Sequence, residues 1–331
     1  MSVLDRAIRA AAEAGCELLR ASPRRDGRLL LTLRNAEGVE VAGSWSSDRL
    51  KVYSYGQDPK LPALAELVAE GGTVVAHRAG RRAVVRHPDG ERWTKVLPEG
   101  KVKAVADGLE RAAEIPGIRV PPVLAVTSDT VTLGTLPGVT LYTRLGVGIG
   151  LEEFGTRVGR AVRDLHGGTI QVPMHDLQAE IAVTERWVEA AARLTGTQLP
   201  RPRTPSIGSG SGPNVLLHRD LHDKQLLLDE TGCSAGILDL DLLARGEAAL
   251  DLANLLVHLE LRVRQGRLAP DRLSPMAETV LSAYGADPAV RARLGIYARL
   301  TRIRLAAVYA FRPADLPRAG RALVEEPLLV A

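Results

Sequence analysis

The sequence predicts an α+β protein of two lobes, a β-rich one followed by a helical one, with an extra N-terminal segment. Three observations carry this expectation. The chain has 331 residues, more than one hydrophobic core usually serves. Strand-like runs separated by turn residues prevail up to about residue 133. After Pro137-Gly138 the apolar residues recur at helical spacing instead.

Taken in order, residues 1–70 read as an α/β extension. A helix is expected over 3–20, then strands in RLLLTLRN, VEVAGSW and LKVYSYG, then a helix in LPALAELVAE, with turn signals at AEG and SSD. Residues 71–136 form the first lobe: strands in TVVAHRAG, RRAVVRHPDG and ERWTKVLPEG, a helix in KVKAVADGLERAAEI, and a strand pair in PPVLAVTSDTVTLGTL. The lobes are expected to join near 134–138. Residues 137–331 form the helical lobe, with period-3.6 segments at 151–166 and 175–194 and helices again over 247–323. A Pro/Gly/Ser-rich loop (195–214) and three short apolar runs, NVLLHRD, QLLLD and AGILDLD, interrupt it. Gly146, Gly148 and Gly150 precede a helix but follow no suitable strand, so they read as a connector and not a dinucleotide loop.

Composition narrows the function classes. Apolar residues make up 45% and charged residues 25%, ordinary for a globular protein, while aromatics at 3% weaken any scheme of base stacking. The net charge of +4 comes from cations scattered among acids, so a nucleic-acid partner is not expected. The densest basic group, Arg78, Arg81, Arg82 and Arg86, lies on a hairpin-like stretch and reads either as a solvated strand face or as a patch facing phosphates. Cys16 and Cys233 are far apart and fit neither a disulfide framework nor a cysteine zinc site. With no apolar leader and no span-length apolar run, a cytoplasmic protein without membrane contact is expected.

The informative segment is His218-Arg219-Asp220-Leu221-His222-Asp223-Lys224-Gln225, followed by Leu226–Asp229 and then Ile237-Leu238-Asp239-Leu240-Asp241. Two apolar strands joined by a turn at Glu230-Thr231-Gly232 would hold Asp220 and Gln225 before the first strand and Asp239 after the second. These ends lie on one side, so three oxygen-bearing side chains converge, as a hard cation such as Mg²⁺ requires. Phosphoryl transfer asks for charge neutralisation, in-line geometry and a carboxylate that orients the attacking hydroxyl. Asp220 suits the last role, and Gln225 with Asp239 suits the metal. Asp241 suits a second metal, water positioning or simple support of a turn. His218 and His222 stand four apart, but a zinc pair needs a helix where the sequence favours strand and loop.

The string HRDLHDKQLLLD…ILDLDLLARGEAALDLANLL resembles the catalytic core of the aminoglycoside phosphotransferase family, within the protein-kinase-like superfamily. That family's usual form is H-G-D-L-H-x-x-N, then I-D-[WF]-[DEG], then D-x-x-x-D-[LIV]-A. The resemblance covers about residues 75–312 and extends to VPPVLAV, LGTLPGVTL and GRAVRDLHGG. It implies a two-lobed protein-kinase-like fold with Asp220 as catalytic base, Asp239 as metal-binding acid and Asp251 as the acid bracing the catalytic loop. It also implies that Lys95 contacts nucleotide phosphates and pairs with an acid on the following helix. Glu110 is preferred for that acid, and Asp107 and Glu114 also fit the spacing. The nucleotide base is expected near a hinge at Gly134–Leu136.

Two positions depart from the pattern. Gln225 replaces the usual Asn, as in maltokinase-like sugar kinases, and AHRAGRRAVV lacks a glycine-rich phosphate loop. The expected activity is transfer from ATP, with GTP not excluded, and Mg²⁺ to a small-molecule hydroxyl, leaning to a sugar or sugar-like acceptor. The alternatives are an antibiotic kinase and a catalytically silent nucleotide-binding protein of the same fold.

Overall fold

Ser2 starts the first helix, α1 (Val3–Glu13), with a reciprocal cap. Its hydroxyl accepts from the Asp5 N–H at 3.1 Å, and the Asp5 carboxylate accepts from the Ser2 N–H at 2.8 Å. Leu4, Ala7 and Ala11 lie on the buried face. The helix stops short of the expected residue 20 because Gly15 takes φ 71, and the chain continues as strand β1 (Glu17–Pro23). A computed structural model describes residues 1–147, 150–203, 212–229, 235–314 and 317–329. The turn expected at 230–232, Cys233, Gly148 and much of the 195–214 loop lie outside the described residues.

The first sheet continues with β2 (Leu29–Arg34), β3 (Glu40–Ser46) and β4 (Arg49–Val52), antiparallel in that order. Alternate residues Leu29, Leu31 and Leu33 face inward, giving the period-2 burial of a half-covered sheet. Helix α2 (Ala63–Ala69) follows. The second sheet takes β5 (Thr73–Arg78), β6 (Arg82–Arg86) and β7 (Arg92–Val96), with helix α3 (Val102–Ala113), then β8 (Val123–Val126) and β9 (Thr130–Gly134). Its strand order is β5-β6-β7-β9-β8 and its pairings are antiparallel. Leu61 and Leu64, at the start of α2, pack with Ala83, Val85 and Val96 of this second sheet.

The chain leaves the second sheet at Gly134 and pairs in a third by Val139, in β10 (Val139–Thr140). Gly138 makes the crossing possible. It takes φ 123, and a Cβ there would stand 2.9 Å from the Leu228 carbonyl. Helices α4 (Leu141–Val147), α5 (Leu151–His166) and α6 (Leu177–Thr195) begin the helical lobe. Four short strands follow: β11 (Asn214–Leu217), β12 (Leu226–Leu228), β13 (Gly236–Ile237) and β14 (Ala244–Glu247). β12 pairs with β10 and β13, whereas β11 pairs with β14. Helices α7 (Ala249–Arg264), α8 (Pro270–Tyr284), α9 (Pro288–Tyr309) and α10 (Pro317–Glu325) complete the lobe. Helix α7 is buried all round, and its run of leucines joins the largest core, into which α3 and α5 also pack.

The N-terminal sheet docks on the helical lobe. Leu18, Leu31, Leu33 and Trp45 share a core with Ala191 and Leu194 of α6 and with Ala307 and Phe311 at the end of α9. The Ala21 N–H also donates to the Phe311 carbonyl at 2.8 Å, so β1 is pinned to the chain just after α9. No helix among the described residues is long and apolar enough to cross a membrane.

Candidate active site

Strand β11 delivers the chain to His218, and the loop after it is held from below by Asp251 in the first turn of α7. The fully buried Asp251 carboxylate accepts from the backbone N–H groups of His218 at 2.6 Å and Arg219 at 2.8 Å. His166 lies 3.2 Å from the same group. Burial alone would raise this carboxyl, but the His166 bond and charge and the backbone donors outweigh it and hold it below its ordinary value. The anchor keeps Arg219 at φ 70, a left-handed conformation that a non-glycine residue adopts only under constraint.

His218 closes the loop from the other side. One ring nitrogen meets the Leu238 carbonyl at 2.8 Å, and the other accepts from the Asp220 N–H at 3.3 Å. Asn254 of α7 donates to the Leu221 carbonyl at 2.8 Å, and Arg262 grips Asp223 through two bonds of 2.7 and 2.9 Å. Both ring nitrogens of His218 are thus engaged by backbone groups of the loop and the strand end beside it. Among the described residues, one group has ligand atoms close enough for a metal: His222, Asp223 and His258. There Asp223 is already committed to Arg262, and the Lys224 N–H approaches His222 Nδ1 at 3.1 Å.

Gln225 and Asp239 flank the β12–β13 ladder, in which Leu226 pairs with Ile237. The Leu238 N–H donates to the Gln225 carbonyl at 2.8 Å, which sets the two segments side by side. The Gln225 side chain is 7% exposed, and its Oε1 has no hydrogen-bond partner among the described residues. A buried carbonyl oxygen left without a donor costs free energy unless something else approaches it, and a hard cation is one such partner. Asp239 takes φ 61, a second constrained non-glycine position.

The carboxylates of Asp239 and Asp241 meet two cations from the second sheet. Lys95 Nζ on β7 lies 3.0 Å from Asp239 and 2.7 Å from Asp241. Arg82, the first residue of β6, holds Asp239 in a fork of 3.0 and 3.1 Å and reaches Asp241 at 3.2 Å. Burial opposes ionisation of Asp239, but Lys95 and Arg82 override it and keep the carboxyl far below its usual range.

Lys95 therefore departs from the pairing expected of it. Its partners are Asp239 and Asp241, whereas Glu110 is exposed and lines a separate cavity on the outer side of α3 with Gly100, Val102 and Lys103. Asp107 pairs with Lys103 on the same helix at 2.8 Å. The reason is reach: the acids of α3 fall on its solvent side, while Ala106 and Leu109 face the core. Gly134 and Leu136 lie at the lobe junction, where the Gly134 N–H bonds to the Pro122 carbonyl at 2.9 Å and Leu136 closes over Gly236. Neither lines the main cavity.

That cavity, about 810 Å³, lies between the lobes and brings together Asp220, Gln225, Asp239 and Asp241. Its roof is the β5–β6 turn, where Gly80 takes φ 60. Asp58, from the segment before α2, accepts from the Gly80 N–H at 2.5 Å and the Lys60 N–H at 3.0 Å and meets His77 at 2.9 Å, so the turn is tied down without a glycine-rich motif. Arg78, Arg81 and Arg82 of this turn all line the cavity, whereas Arg86 is exposed and does not. Arg78 keeps solvent access, yet the surrounding walls, then Arg82 and Arg20, pull its pKa down to about 10. Asp58 and His258, which also shape or line this space, carried no motif and were missed in the sequence.

The profile of the phosphotransferase enzyme family (APH) matches residues 69–294. None of the curated proteins compared with the chain matches it. Among solved structures, an aminoglycoside phosphotransferase, APH(3'')-Id from Streptomyces rimosus, in complex with ADP and streptomycin, has 21% identity and a TM-score of 0.53, covering 74% of this chain and 98% of its own. A choline/ethanolamine kinase family protein from Mesorhizobium loti has 19% identity and a TM-score of 0.53, with 81% and 93% covered. A macrolide 2'-phosphotransferase from Brachybacterium faecium has 17% identity and a TM-score of 0.50, with 81% and 99% covered. Such likeness reports a shared fold, and the family match adds the chemistry: the chain belongs to the phosphotransferase enzyme family, as a small-molecule phosphotransferase with a β-rich first lobe and a helical second one.

Proposed function

We propose that this protein transfers the terminal phosphoryl group of a magnesium-bound nucleotide, ATP in the first instance, to a hydroxyl group of a small molecule. The observation that carries the reading is the buried, partnerless Oε1 of Gln225 in the same cavity as Asp220, Asp239 and Asp241. Asp220 accepts the proton of the attacking hydroxyl and orients it. Gln225 and Asp239, with Asp241 beside them, would hold the divalent ion, which when bound neutralises charge on the phosphates. Lys95 and Arg82, already drawn to those carboxylates, would contact phosphate oxygens and keep the negative charges from repelling one another. The family match supports a nucleotide donor, and neighbours of the same fold include one bound to ADP.

The acceptor proposed is a sugar or sugar-like compound, on the strength of Gln225 at the metal position. Antibiotic acceptors are the second reading, favoured by the streptomycin-bound neighbour. The cavity lining speaks against a polycation, because it holds more arginine and lysine than aspartate. The test is Asp220→Asn with Mg-ATP and a panel of sugars and antibiotics, read by product mass. Turnover should fall about a hundredfold or more while ADP affinity stays within about twofold. Undiminished turnover would remove Asp220 from the chemistry. ADP binding with no transfer to any member would favour the silent nucleotide-binding alternative.

A further inference from the structure

Resting on that reading and going beyond it, we propose that the acceptor is anionic, a hydroxyl compound bearing a phosphate or carboxylate group, and that the N-terminal sheet supplies the wall that grips it. The wall is set by a backbone contact. The bond from the Ala21 N–H to the Phe311 carbonyl, 2.8 Å long, fixes the end of β1 beside the end of α9. Arg20 and Arg24, on either side of Ala21, thereby line the interlobe cavity together with Tyr309 and Arg312. A segment outside the family match thus furnishes part of the same cavity as Asp220.

Charge points to the ligand. Among the described residues, the lining carries nine arginines and lysines against three aspartates. Asp239 and Asp241 are already met by Lys95 and Arg82 at the metal end. Among the described residues no carboxylate pairs with Arg24, Arg78 or Arg81, although all three face this space. Like charges crowded in a cleft repel one another and focus a positive field, an arrangement that an anion relieves. The field also continues outward. Arg24 and Arg81 line a second cavity of about 670 Å³ as well, where Arg186 and Arg193 of α6 extend the basic wall.

His258 marks the neutral part of the subsite. It is 7% exposed, lines the cavity, and has neither ring nitrogen hydrogen-bonded among the described residues. Its ring stacks on His222 at 4.7 Å between centroids. An imidazole so placed offers one donor and one acceptor to hydroxyl groups, while the arginines take the charged end of the same molecule.

The test uses the full-length protein saturated with ADP and Mg²⁺, titrated calorimetrically with glucose, glucosamine, glucuronate and glucose 6-phosphate. At least one anionic sugar should bind about tenfold more tightly than glucose, with a preference that weakens as salt is raised. Arg24→Ala and Arg81→Ala should each abolish most of that preference, and Arg24→Lys should restore part of it. Both arginines are exposed, so the substitutions leave the fold intact. Equal or better binding of glucose or glucosamine, no binding of either anion, or a preference untouched by both alanine variants would overturn the proposal. Loss of ADP binding in the unaltered protein would instead strike the nucleotide reading beneath it, so the two failures are told apart.

Discussion

Asp251→Asn should separate the brace beneath the catalytic loop from the loop itself. The carboxylate has three donors around it, the His218 and Arg219 N–H groups at 2.6 and 2.8 Å and the His166 ring at 3.2 Å, and no solvent. Asparagine keeps one acceptor oxygen and turns an amide N–H₂ toward a backbone N–H. At least one charge-assisted bond, worth about 1.5–3 kcal/mol, is lost, and a donor is left facing a donor. A loss of about 2–4 kcal/mol at pH 7 is expected. The sign with pH follows from the lowered carboxyl: its contribution is present above about pH 4 and disappears as pH falls through the folded-state value. The gap between the two proteins should therefore narrow on acidification. Urea unfolding followed by the fluorescence of the three tryptophans measures it, with the midpoint moving and the slope unchanged. A gap under about 0.5 kcal/mol at pH 7, or one that stays constant below pH 4, would refute the reasoning.

Phe311→Ala empties a fully buried position where the ring meets Trp187 at 6.1 Å between centroids, so it should cost about 3–5 kcal/mol and expose the N-terminal sheet to limited proteolysis first. Proteolysis that starts elsewhere would show that the sheet is held by other contacts. Burial, then the charges of His222, Arg262, Arg304 and Arg312, hold His258 neutral, well below its ordinary value. The unfolded chain takes up that proton below about pH 6.5, so stability should be full above that pH and fall with acidification by up to about 1.4 kcal/mol per unit. His222, lowered by burial against the pull of Asp220 and Asp223, adds to the same slope, and His258→Leu should flatten it in unfolding curves between pH 5 and 7. Gln225→Leu should raise the Mg²⁺ concentration giving half-maximal turnover about tenfold, because it removes a buried neutral oxygen that would ligate the ion. An unchanged Mg²⁺ dependence would take Gln225 out of the metal site.

Much of the helical lobe and of both sheets was legible in the sequence, because amphipathic spacing and turn residues are local signals. The segment 151–166 became α5 with the same limits, and the hairpins from Thr73 to Arg92 fall where the strand runs predict them. The helix expected over 3–20 was cut at Gly15 by one left-handed residue, a backbone conformation that periodicity does not report. Likewise β14 went unrecognised, with only its last residue, Glu247, inside the stretch expected to be helical, since its four residues gain strand geometry only by pairing with β11, some thirty positions away.

The site divides along the same line. Asp220, Gln225, Asp239 and Asp251 could be named from sequence because they sit in short motifs around one small ladder, where spacing and geometry nearly coincide. The partners of Lys95 could not: the choice between the acids of α3 and those after β13 depends on which face of a helix turns inward and how two lobes close. Nor could any local pattern announce that Arg20 and Arg24 belong to the cavity, because their position follows from a sheet docking on α6 and α9, far along the chain. Local chemistry is written in adjacent residues; the charge that surrounds it is assembled only when distant segments pack.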